Sequence, residues 1–170
     1  MTGRERLARF RASVLAAGVG WAAAMVVTLP LALFKVWTES VVWTNSAGGW
    51  RLRLWSLGAG AGIWFGWTLA IIFGAWLVGG LPAIALVRED WLLRHKRLAV
   101  LLSAAMAELV VLVRFQFWRW FLPESYFDPW LLTLYSLLLV VFAVTVAGVY
   151  LRLIGRTLPV ATSDSMPRSE

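Results

Sequence analysis

The sequence predicts an all-α integral membrane protein: a bundle of four transmembrane helices with both termini in the cytoplasm. Three observations predict it. Of 170 residues, 61% are hydrophobic and only 15% charged. Four apolar runs reach the length that crosses a bilayer, and lysine and arginine gather on one side of the resulting thread. A soluble domain averages roughly 45–50% apolar and about 25% charged residues, so this chain has more apolar surface than a water-facing fold can hide.

Crossing a hydrocarbon layer of about 30 Å takes ~20 helical residues at ~1.5 Å each. The first run, residues 12–34 (ASVLAAGVGWAAAMVVTLPLALF), contains no charge. Its basic lead, MTGRERLARFR, suits a signal peptide, but its 23 apolar residues exceed the usual h-region of about 7–15. No small-x-small cleavage site follows, so a retained anchor helix is expected.

The second span is expected at 58–80. The wider apolar stretch 58–87 is 30 residues, or ~45 Å as a straight helix, and it holds Gly79, Gly80 and Pro82. Either it kinks and continues, or the piece after Pro82 turns along the inner surface. The third span is 98–118, with Pro123 ending it. The fourth is 130–151, capped by Asp128, with Pro129 in a first turn that needs no backbone donor.

Between the first two spans lies an outer loop, 35–57, whose TNSAGG (44–49) reads as a turn. WRLRLWSL (50–57) alternates bulky apolar and basic residues, which suits an interfacial segment better than an unpaired strand. Residues 1–156 then form one four-helix domain. The polar, Pro-containing stretch 157–170 is expected to be a disordered cytoplasmic tail.

Orientation follows from counting basic residues on each side. One side carries Arg4, Arg6, Arg9, Arg11, Arg88, Arg94, Lys96, Arg97, Arg152, Arg156 and Arg168. The other carries Lys35, Arg51, Arg53, Arg114 and Arg119. With short loops throughout, this bias predicts both termini inside, in a plasma membrane of the bacterial inner-membrane kind. The aromatic-rich RFQFWRWFLPESYFDPW (114–130) would form an outer belt.

Reactive chemistry is sparse. With no cysteine and a single histidine, His95, thiolate metal sites and a bis-histidine haem are excluded. EDWLLRHKR (89–97) reads as a solvated charge run rather than a metal site. Ser103 and Ser136 have no histidine in a membrane helix to activate them, and no phosphate-binding loop follows a strand. No catalytic, cofactor or metal site is expected. The net charge of +7 is explained by topology and anionic lipid headgroups, not by nucleic acid.

Packing signals are stronger. Ala16, Gly20, Ala24, Thr28 and Ala32 recur every four residues in the first span, and Gly58, Gly62, Gly66, Ala70 and Gly74 do so in the second. Small residues at this spacing let two backbones approach closely, so the first two helices are expected to cross tightly, and the stripes are expected to face either each other or a second chain.

One acid, Glu108, lies near the middle of the third span. A central acid costs about 2.5–3.5 kcal/mol on insertion scales, so it must be protonated, paired or turned to a polar interior. Its face, shared with Ala104, Leu112 and Phe115, is expected to point into the bundle, with Thr28, Thr68, Ser136 and Thr145 as candidate partners. Arg114 stands some 240° around the helix and is expected to snorkel outward rather than pair with it.

The expected function is that of a small non-enzymatic membrane protein acting through helix packing and protein contacts, as a subunit, assembly factor or immunity-type factor. Its partners would be the bilayer and either another protein or further copies of itself. The alternative is a small proton-coupled carrier working as a homo-oligomer, with Glu108 as its proton and substrate site.

Overall fold

Backbone amides in an apolar run have no water to bond, and a helix satisfies them within the segment. The computed structural model describes residues 3–43, 49–119 and 129–157, and all its regular elements are helical. They are α1 (Gly3–Trp43), α2 (Gly49–Ala75), a π-helical turn (Trp76–Gly80), α3 (Leu81–Leu86), α4 (Glu89–Arg94), α5 (Lys96–Arg119) and α6 (Pro129–Thr157). Among the described residues four stretches are long and apolar enough to cross a membrane: Arg6–Glu39, Leu54–Gly80, Lys96–Gln116 and Pro129–Arg156.

α1 overruns its predicted span at both ends. Its 41 residues include Pro30, whose missing N–H removes one rung of the backbone ladder. Two residues earlier, Thr28 Oγ1 donates to the Ala24 carbonyl at 2.8 Å. Past the apolar run the helix goes on through a Lys35–Glu39 ion pair at 3.4 Å, four residues apart, and through Thr38 Oγ1 donating to the Lys35 carbonyl at 2.8 Å.

The expected outer loop 35–57 therefore shrinks from both sides. Residues 50–57 are helical, not a strand. They are the opening turns of α2, where the good helix formers Arg51, Leu52, Arg53 and Leu54 run unbroken into the apolar stretch. The turn expected at 44–49 falls almost wholly outside the described residues.

At Pro82 the helix continues. The Leu81 N–H bonds the Trp76 carbonyl, five residues back, so this turn holds one residue more than an α-turn. A proline clashes with the carbonyl four residues before it, and the widened turn immediately upstream relieves that crowding. α3 then ends at Leu86, short α4 follows, and His95 breaks the path before α5 with φ −116° and ψ 43°. α6 begins on Pro129 as its missing donor predicts. The expected roles of Asp128 and Pro123, and the tail, lie outside the described residues.

The long helices stand in the order α2, α1, α6, α5. α1 is central, packed on α6 on one side and on α2 on the other, while α5 packs mainly on α6. The core follows this order. Ala24, Ile72, Trp76, Leu138 and Phe142 join α1, α6 and the α2 limb. Met25, Ala32, Trp64 and Leu134 extend it toward the opposite end. At the basic end Ala16, Tyr150 and Ile154 pack with Leu92 and Leu93 of α4. Edge position leaves α5 the barest span, with 6% of its most apolar window buried, against 33% for α6.

Candidate functional site

Glu108 was expected to face the interior. It is exposed, on the side of α5 turned away from α6. The inward face is instead Ser103, Ala104, Ala107 and Val111, small enough to let α5 lie against α6. Ser103 Oγ donates to the Val100 carbonyl at 2.7 Å and lies 3.3 Å from the Ala143 carbonyl of α6. Around Glu108 the outward face is apolar: Leu101, Met106, Leu109, Leu112 and Val113 are all exposed. The expectation failed because Glu108 is one residue past Ala107, and a helical step of ~100° suffices to move a side chain off the packed face.

None of the hydroxyls proposed as its partners bonds it. Thr28 and Thr68 are fully buried between α1 and α2, two and three helices away from α5 in the row. Trp64 Nε1 donates to Thr28 Oγ1 at 3.4 Å, and Thr68 Oγ1 donates to the Phe65 carbonyl at 3.0 Å with Met25 Sδ at 3.1 Å. These groups satisfy one another within the helix pair, as polar atoms in an apolar core must. Arg114 stays exposed, with its guanidinium carbon 5.7 Å from the centre of the Tyr135 ring on α6. This contact ties the outer part of α5 to α6.

The small-residue stripes divide. In α1, Ala16, Ala24, Thr28 and Ala32 are all buried. At Gly20 a Cβ would stand 2.6 Å from Val146 Cγ2 and 3.0 Å from Phe142 Cδ2, both on α6. The α2 stripe is the reverse. Gly62, Gly66 and Ala70 are exposed, and a Cβ at Gly62, Gly66 or Gly74 meets nothing within 4 Å. α1 and α2 do pack together, but the α2 stripe does not face α1. α2 meets α1 through Trp64, Thr68 and Ile72, and α1 spends its glycine on α6.

The remaining candidates hold no converging chemistry. His95 stacks on Trp91, with ring centres 5.2 Å apart, and its Nδ1 lies 3.2 Å from the Trp91 carbonyl. Among the described residues no three His, Asp or Glu side chains gather as metal ligands would.

One feature escaped the residue-by-residue reading. Lys96 and Arg97 at the start of α5 and Arg152 near the end of α6 line a single groove with Val100, Leu101, Gly148 and Leu151. The signal was present as basic residues at the joined ends of two antiparallel helices, but it needed the knowledge that α5 and α6 are neighbours. Compared with protein-family models, curated proteins and solved structures, the chain matches none of them.

Proposed function

We propose that this chain is a small, non-enzymatic, multi-pass protein of a bacterial-type inner membrane, with both termini cytoplasmic, that works through contacts made by the outward face of α5. The observation that carries the reading is Glu108, exposed among apolar side chains near mid-helix. It lies about 18 Å along the axis from Lys96 and about 16 Å from Arg119. A lipid-facing acid at that depth costs about 2.5–3.5 kcal/mol, and such residues mark contacts or pathways. A face that keeps one is built to be covered by another chain.

The basic residues support the orientation. The start of α1, α4, the start of α5 and the end of α6 share one end of the molecule, so their cations accumulate there. The exposed glycines of α2 offer a second approachable face at the other edge of the row.

The absence of cysteine makes a clean test, because each introduced thiol is the sole one. Leu112→Cys, one turn from Glu108 on the exposed face, should cross-link in intact membranes through a short bis-maleimide to a partner or a second copy. Val26→Cys, on an exposed position of α1, should stay monomeric. If Leu112→Cys is labelled by lipid-soluble maleimide as fully as Val26→Cys and forms no cross-link, α5 faces lipid alone and the reading fails.

A further inference from the structure

The groove between α5 and α6 has a chemical polarity of its own. Its volume is about 520 Å³. The mouth carries three cations, Lys96, Arg97 and Arg152, all exposed, and no described carboxylate forms an ion pair with them. One turn deeper along each helix the lining becomes purely apolar, with Val100 and Leu101 on α5 and Gly148 on α6. Gly148 keeps that depth open, since a Cβ there would meet nothing within 4 Å. Leu151 forms the buried back wall.

We propose that this groove is a binding site for one anionic phospholipid. Its phosphate lies among Lys96, Arg97 and Arg152, and an acyl chain descends past Val100 and Gly148. The charges select the ligand's sign: guanidinium groups bind phosphate oxygens in paired, charge-assisted hydrogen bonds, and an ammonium adds a point charge. The apolar depth selects a lipid over a soluble phosphate, because only an acyl chain gains from covering it. The location fits as well, since Lys96 opens one apolar span and Arg152 lies four residues before the close of the other. Basic pockets between helices at the cytoplasmic boundary recognise anionic headgroups in this way. The inference rests on the chain spanning a bilayer, and it is independent of what covers Glu108.

The test is native mass spectrometry of the detergent-purified full chain titrated with phosphatidylglycerol, with phosphatidylcholine as the uncharged comparison. The parent should hold one phosphatidylglycerol in preference to phosphatidylcholine. Arg97→Gln with Arg152→Gln should weaken that binding about 30-fold, the loss of two near-surface cations. Arg97→Lys with Arg152→Lys should retain most of it. Gly148→Leu should weaken it with no change in charge, because the side chain fills the depth. Arg6→Gln with Arg94→Gln removes two cations from the same end but outside the groove, and should bind like the parent.

Circular dichroism and elution volume identify any variant that misfolds, and the two lines of variants, charge and volume, each decide alone. Phosphatidylglycerol retention equal to the parent's by the folded Gln pair, or by folded Gly148→Leu, would overturn the site. Displacement of the lipid by millimolar inorganic phosphate, with phosphate itself held by Gly148→Leu, would overturn it in favour of a soluble anion.

Discussion

Gly20 lies so close to Val146 that a Cβ on the glycine would stand 2.6 Å from Val146 Cγ2. No real Cβ tolerates that distance, so the α1–α6 spacing depends on a hydrogen at this position. Gly20→Ala should therefore destabilise the protein by about 1–3 kcal/mol, the usual penalty of overpacking, and Gly20→Leu by more. Gly66→Leu, on the open face of α2, should melt like the parent in detergent. Thermal unfolding followed by circular dichroism compares the three. A parent-like melt for Gly20→Ala would mean that α1 and α6 do not meet there.

The contact between Trp64 and Thr28 is one of two polar links between α1 and α2, beside that of Thr68 and Met25, among the described residues. Thr28→Val keeps the shape but leaves the indole donor without its acceptor, and should cost about 0.6–1.7 kcal/mol, the range of interhelical hydrogen bonds in membranes. A double-mutant cycle with Trp64→Phe measures the shared term. Additive losses would show that the 3.4 Å hydrogen bond contributes nothing.

Glu108 separates association from folding. Because its side chain is exposed, Glu108→Gln and Glu108→Leu should both melt at or above the parent temperature in detergent. In membranes carrying Leu112→Cys, the Leu variant should lose the cross-link. The Gln variant, which keeps hydrogen-bonding capacity and nearly the same volume, should keep it. A melting temperature that drops by several degrees for Glu108→Leu would place the acid in the interior after all.

The same residue tells a contact protein from a carrier. Proton release on addition of lipophilic cations to purified protein, followed from pH 6 to 9, should be indistinguishable for the parent and for Glu108→Gln, whose amide cannot titrate, because a contact residue exchanges no proton for the cation. Release seen only with the glutamate would establish a coupled carrier instead.

Topology is tested by reporter fusions. A reporter after Ser163 should be active only in the cytoplasm, and one placed near Ser125 only outside. Activity of the C-terminal fusion outside would invert the map and move the α5–α6 groove to the other leaflet.

By itself the sequence determined the number and class of the long apolar elements. Four uncharged or nearly uncharged runs of spanning length leave helix as the means of satisfying their backbones, and Pro129 marked the start of the last one. Tertiary structure alone decided who neighbours whom. A soluble helix announces its buried face by a polar opposite side, whereas these helices are apolar all round, so periodicity carries no direction. Glycine every fourth residue says that a face can be approached but not by what: Gly20 is closed by Val146 and Phe142, while Gly62 and Gly66 stay open. Glu108 differs from the packed Ala107 by a single residue, a step of ~100° that only the α5–α6 contact resolves. The lipid groove arises in the same way. Lys96, Arg97 and Arg152 are ordinary flanking cations along the chain and become one site where the ends of two antiparallel helices meet.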